Sequence, residues 1–182
     1  ECLEAKSQFC EKQEVSKMHL LSLADLDSVN ILDFISHTSK VKNNPERYKD
    51  ALKNRTMLMI FEKPSLRTRV SFEAGMTQLG GHAIHLDAKD SLLGKKESIA
   101  DTAKVSSRYC DIIMARLFRQ EHIEELARNS GVPVINGLTD TFHPCQILSD
   151  LFTIKEKKGK LKGLKLSYLG DGNNNITHDL LL

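Results

Sequence analysis

Residues 57–73 constrain the fold more than any other stretch. Met57-Leu58-Met59-Ile60-Phe61 is an apolar run of strand length. Glu62-Lys63-Pro64-Ser65 breaks it, and Leu66-Arg67-Thr68-Arg69-Val70-Ser71-Phe72-Glu73 opens a stretch of helical character reaching about Leu79. The order is strand, tight loop, helix. A helix start leaves backbone N–H groups unpaired and carries the positive end of the dipole. Ser65, Thr68, Arg67 and Arg69 at that start, with the backbone of Leu66, suit a dianion such as phosphate. The competing reading is a plain Ser65 N-cap with both arginines solvated. The place of the loop, after an apolar strand, favours the anion site, because open α/β sheets bind ligands at the carboxyl ends of their strands.

The rest of the chain repeats that unit. Ala83–Leu86, Asp111–Arg116, Val132–Asn136 and Leu164–Leu169 read as further strands. Between them, Ser98–Tyr109, Glu121–Ser130 and Pro144–Lys158 read as helices. Ahead of the first strand, the spacing of Leu23, Leu26, Val29, Leu32 and Ile35 predicts one amphipathic helix from Ser22 to about Val41, ended by Asn43-Asn44-Pro45. A short polar helix is expected over Glu46–Lys53, and Gly80-Gly81 should close the helix after the first strand. Strands alternating with helices give the fold class: α/β, a parallel sheet flanked by helices and built from βαβ units.

Composition excludes several classes. Lys and Arg number 26 against 24 Asp and Glu, a net charge of +2. So even a balance gives no support for nucleic-acid binding or for a charged membrane surface. No apolar run approaches the ~18 residues of a membrane span. Cys2, Cys10, Cys110 and Cys145 have neither zinc-site nor disulfide-framework spacing, so a reducing intracellular compartment is the default. The histidines show no ligand spacing, and no metal is expected.

Three more constellations follow apolar strands. Arg116 ends Met114-Ala115-Arg116, either as a ligand or as a side chain snorkelling to the sheet edge. His143-Pro144-Cys145-Gln146 begins a helix, with Pro144 suited to its first turn. His143 and Gln146 there either cap that helix or address a carbonyl and an amide. Cys145 reads as a small buried apolar residue rather than a nucleophile. Gly170-Asp171-Gly172-Asn173-Asn174 lacks the third glycine of a dinucleotide loop, so no NAD is expected. An asparagine there suits an α-amino-acid head group.

These pieces occur in a fixed order. Phe61-Glu62-Lys63-Pro64-Ser65-Leu66-Arg67-Thr68-Arg69, Leu79-Gly80-Gly81-His82, Glu97-Ser98-Ile99-Ala100-Asp101-Thr102, Asn136-Gly137-Leu138-Thr139-Asp140, Phe142-His143-Pro144-Cys145-Gln146 and Gly170-Asp171-Gly172-Asn173-Asn174 together resemble the aspartate/ornithine carbamoyltransferase family, on its ornithine side. The resemblance covers about Leu21 to Leu182.

It implies transfer of the carbamoyl group from carbamoyl phosphate to the δ-amine of L-ornithine, giving L-citrulline and phosphate, with no cofactor. It implies that Ser65, Leu66, Arg67, Thr68 and Arg69 hold the phosphate. Arg116, His143 and Thr68 would polarise the carbonyl and stabilise the oxyanion. Gln146 would take the carbamoyl amide, and Asn174 would begin the ornithine site. A homotrimer in the cytoplasm, or in the mitochondrial matrix of a eukaryote, is the implied assembly and place, in arginine biosynthesis or the urea cycle.

The implied division is an N-terminal extension at 1–17, a carbamoyl-phosphate-binding domain at 18–150, and a truncated start of the ornithine-binding domain at 151–182. The ornithine-binding aspartate-serine-methionine and His-Cys-Leu-Pro motifs are not found in the sequence, so this chain is expected to turn over little by itself. Two residues depart from the family pattern. Leu66 stands where threonine is common, with its backbone N–H retained. Leu92 stands where a polar residue usually reaches a neighbouring subunit's site, and Ser91, Lys95 or Lys96 would have to substitute. A sister enzyme using aspartate, putrescine or an acylated ornithine, and a non-catalytic truncated paralogue, are the alternative readings.

Overall fold

The structure is a computed structural model, and it describes residues 18–87 and 97–182. The loop centred on Leu92, with Ser91, Lys95 and Lys96, lies outside the described residues, as do Cys2 and Cys10. Four parallel strands form one sheet: β1 (Thr56–Phe61), β2 (His82–Asp87), β3 (Ile112–Arg116) and β4 (Val134–Leu138). Their order is β2-β1-β3-β4. Leu20 extends the β4 side through one parallel bridge to Ile135. The helices are α1 (Ser28–Asn43), α2 (Pro45–Tyr48), α3 (Leu66–Gln78), α4 (Ile99–Ser106), α5 (Gln120–Asn129), α6 (Pro144–Lys158) and α7 (Asn175–Leu180).

A central parallel strand buries both faces, and its side chains alternate between two cores. Met57, Met59 and Phe61 of β1 join Met76 of α3 and Met114 of β3 on one side. Ile60, with Ile113 and Ala115 of β3, joins Ala103 of α4 and Ile123, Leu126 and Ala127 of α5 on the other. A third cluster sits at the β4 side, where Leu23, Ile147 and Leu148 pack with Ile31, Ile176 and Leu180. It ties the segment before α1 to α6 and α7.

Three expectations are corrected. The helix expected from Ser22 is divided. Ser22 caps a 3₁₀ turn at Leu23–Asp25, and Asp27 then caps α1 by accepting from Asn30 N–H at 2.7 Å. Two cap residues five apart start two elements rather than one. Leu32 of α1 consequently faces outward, while Ile35 is buried. The polar helix after it is only the single turn Pro45–Tyr48.

The expected strand at Leu164–Leu169 does not form: that stretch has no regular structure, and Leu169 is 96% exposed. Its alternating pattern suits a strand. A strand is stable only when its N–H and C=O groups find a ladder, and no described strand lies beside it.

Candidate active site at the sheet switch point

In the strand order β2-β1-β3-β4, the chain leaves β1 toward one side of the sheet and returns to β3 on the other. The carboxyl ends of β1 and β3 therefore diverge, which makes the crevice where open α/β sheets bind ligands. Phe61 and Arg116 are register partners at those ends, and Glu62 N–H donates to Arg116 C=O at 2.9 Å. Arg116 thus stands beside the loop that carries Ser65 and Arg67.

Ser65 caps α3. Its Oγ accepts from Thr68 N–H at 3.3 Å and lies 3.0 Å from Thr68 Oγ1. Leu66 and Arg67 occupy the first helical turn, whose N–H groups have no partner within the helix. Arg67 and Arg116 feel each other's charge. Burial, and then the Arg67 guanidinium, pull Arg116 below the usual arginine range. Arg116 Nε is buried and has no hydrogen-bond partner among the described residues. No carboxylate among the described residues forms an ion pair with either arginine. Arg67 in the first turn of α3 and Arg116 at the end of β3, the latter with an unmet buried donor, make this corner a candidate anion site.

His143 is the third member. Burial, and then the Arg116 charge, lower its imidazole to about 4. Its Nδ1 is buried and unpartnered among the described residues. At neutral pH the ring is uncharged, so it can donate one hydrogen bond without being a cation. The structure therefore brings together Ser65, Leu66, Arg67, Thr68, Arg116 and His143.

The other candidates have local partners. Arg69 Nε donates to Glu73 Oε1 at 2.9 Å, one turn along α3. Gln146 Nε2 donates to Asp150 at 2.9 Å. Asn174 caps α7, accepting from Ile176 and Thr177 N–H, and its amide donates to Tyr168 Oη and Asp171 C=O.

Neighbouring groups hold the loops in place. Glu62 Oε2 accepts from Phe118 N–H at 2.8 Å. Lys63 pairs with Asp140, and its Nζ lies 4.6 Å from the Phe118 ring centre. The loops after β1, β3 and β4 are thereby joined. The sequence shows Glu62 and Lys63 inside the loop after β1, but their partners lie in the loops after other strands and leave no local signal. Two surface concavities lie elsewhere: about 730 Å³ between α1 and α6, and about 370 Å³ on α3 around Val70 and Thr77. Neither contains Arg67, Arg116 or His143. An anion site is defined by its donors rather than by depth, so charge outweighs concavity here.

Cys145 Sγ donates to Asn136 C=O at 3.3 Å, and burial followed by the Asp179 charge pushes its thiol up to about 12. That matches the expectation of an inert residue. Iodoacetamide at pH 8 should leave Cys145 unlabelled in the native chain and label it after denaturation, as peptide mass mapping would show. Native labelling would return Cys145 to the list of nucleophiles. The described residues contain no cluster of His, Cys, Asp and Glu that could hold a metal, and none of their helices is long and apolar enough to cross a membrane.

Known proteins match this architecture. The family model for the carbamoyl-P binding domain of aspartate/ornithine carbamoyltransferase matches residues 18–156. Ornithine carbamoyltransferase of Bacillus subtilis is 54% identical over 163 residues, which are 90% of this chain and 50% of that protein. The Methanocaldococcus jannaschii ornithine carbamoyltransferase is 50% identical over 165 residues, 91% of this chain and 54% of its own length. The solved ornithine carbamoyltransferase from Pyrococcus furiosus superposes with a TM-score of 0.87 at 47% identity, over 92% of this chain and 54% of that one. The catalytic subunit of M. jannaschii aspartate transcarbamoylase gives 0.82 at 34% identity, over 90% and 55%. The chain spans about half the length of the relatives it matches. With its two-arginine corner at the sheet switch point, it belongs to the aspartate/ornithine carbamoyltransferase family.

Proposed function

We propose that this chain forms the carbamoyl-phosphate half of an ornithine carbamoyltransferase. The observation that carries the reading is the unpaired Arg67–Arg116 couple, with the buried Arg116 Nε–H unmet. The phosphate takes the α3 N–H groups of Leu66 and Arg67, the Ser65 and Thr68 hydroxyls and the Arg67 guanidinium, with Arg69 turning in from Glu73. Arg116, Thr68 and the neutral imidazole of His143 address the carbonyl oxygen, and Gln146 the carbamoyl amide.

The neutral δ-amine of ornithine attacks the carbonyl carbon. A carbon–nitrogen bond forms and the oxygen becomes an anion held by these donors; the carbonyl then re-forms as the carbon–oxygen bond to phosphate breaks, and the proton lost by the amine passes to the departing phosphate. Orientation and oxyanion stabilisation supply most of the acceleration. Asn174 would begin the ornithine site once the remainder of that site is beside it. Residues 18–150 are the carbamoyl-phosphate domain in this reading, 151–182 begin the acceptor domain, and the working assembly is a cytoplasmic homotrimer in arginine biosynthesis. α6 runs unbroken through that boundary.

The greater identity to ornithine enzymes supports ornithine as acceptor. The aspartate enzyme shares the fold almost as well, so the fold alone does not choose between them.

Calorimetric titration with carbamoyl phosphate tests the reading. The chain should bind, and Arg67→Ala should lose about tenfold or more in affinity, the worth of one or two charge-assisted hydrogen bonds. A folded chain that fails to bind would overturn it and favour a non-catalytic role.

A further inference from the structure

Helix α7 reaches back to the loop that presents His143. Three side chains on one face, at positions i, i+3 and i+4, bond that loop. Asn175 Nδ2 donates to Thr139 C=O at 2.7 Å. His178 Nδ1 lies 3.0 Å from Thr141 C=O, to which it donates. Asp179 Oδ2 accepts from His143 N–H at 2.5 Å, and Oδ1 accepts from Leu23 N–H at 2.9 Å.

Asp179 is completely buried, yet no cation among the described residues pairs with it. The groups facing it are the Cys145 thiol, Asp25, His178 and these two backbone donors. Burying a carboxylate is costly. Ile176 and Leu180 on the same helix already give α7 an apolar anchor in the third core. What the carboxylate adds is a fixed point for the backbone at residue 143.

We propose that Asp179 is a positioning residue for His143: by holding the His143 N–H from α7, it fixes the direction in which the imidazole enters the site beside Arg116. The functional meaning of this role rests on the carbamoyl-phosphate reading; the positioning itself does not. It makes the start of the acceptor half a structural part of the carbamoyl-phosphate site.

The test is Asp179→Asn in the full chain, read by calorimetry with carbamoyl phosphate and by a pH titration of the His143 imidazole in ¹⁵N–¹H spectra. Asparagine keeps the shape, but its amide group faces one of the two N–H donors, so one bond is lost. Affinity should fall about tenfold, and the His143 midpoint should rise from about 4 toward the ordinary imidazole range as the ring gains access to water.

Loss of the Asp179 charge alone would move the midpoint down, because a nearby anion favours imidazolium. Ile123→Ala, in the distant core, should lower stability without moving His143. Should Asp179→Asn not fold, Asn175→Ala carries the same test and should shift the midpoint upward by less. A folded Asp179→Asn with parental affinity and a midpoint that is unmoved or lower overturns the proposal. If the parent chain binds no carbamoyl phosphate, the functional reading falls while the His143 titration still decides the positioning role.

Discussion

Arg116→Met should abolish measurable carbamoyl-phosphate binding and, in the same sample, raise the melting temperature. Arg116 reaches the site from the carboxyl end of β3, partly desolvated and next to Arg67. Two charge-assisted bonds to the ligand are together worth about 3–6 kcal/mol, or roughly a hundredfold to ten-thousandfold in affinity. Without ligand the same cation is a liability, since no carboxylate among the described residues pairs with it. Methionine fills a similar volume and removes the repulsion. Relief of about 1 kcal/mol raises the melting temperature by roughly 2–4 °C in a chain of this size. Opposite signs for binding and stability mark a residue kept for function.

The pH dependence adds a second sign. His143 is held down to about 4 in the native chain, by burial first and by Arg116 second. The unfolded chain therefore binds more protons between the ordinary imidazole range and about 4, and this group's contribution to stability is lost as pH falls through that window. Removing Arg116 raises the native value and narrows the window. The melting-temperature advantage of Arg116→Met should therefore grow as the pH drops from 7 to 4. Parental affinity, or a lower melting temperature across that whole range, would sink the anion-site reading of Arg116.

The unit around β1 was legible because its signals are local. The apolar run, the Ser65 cap and the helical stretch after it each occupy a few consecutive residues, and each appears in the structure within a residue or two. The candidate site was legible in part for the same reason: Arg67 and His143 follow apolar strands and Arg116 ends one. Asp179 was not, because its partners are residues 23 and 143, and nothing in Asn175–Leu180 names them. An acid beside Ile176 and Leu180 on a short apolar helix was the only hint.

Leu164–Leu169 failed in the opposite way. Its local pattern is a good strand pattern, but pairing is a property of two segments, and the described residues hold no partner for it. The division of the first helix shows a third kind of error. Hydrophobic spacing runs smoothly from Leu23 to Ile35, whereas the two caps, Ser22 and Asp27, decide where the backbone can turn.

A large loss of stability should come from Gly80→Ala, at the opposite end of α3 from Arg67. α3 ends in a Schellman motif: Gly81 N–H donates to Met76 C=O at 2.8 Å and Gly80 N–H to Thr77 C=O at 3.1 Å. Gly80 holds a φ of 82°, in the left-handed region. A Cβ there would lie 2.6 Å from the carbonyl oxygen of Lys49 and 3.2 Å from Cα of Asp50. Both are backbone atoms, so no side-chain rotation relieves the contact.

The left-handed penalty of about 1 kcal/mol adds to an overpacking cost of about 1–3 kcal/mol. A total of about 2–4 kcal/mol is a large share of the ~5–15 kcal/mol that holds a domain together. Gly159→Ala separates the two terms. Gly159 caps α6 at φ 72°, and a Cβ there meets nothing within 4 Å. It should cost only the backbone penalty, about 1 kcal/mol. Urea denaturation of both variants reads the difference directly. Equal losses would mean that the turn after Tyr48 yields to the new methyl group, and that the junction between α3 and β2 is less closely packed than the Gly80 contacts require.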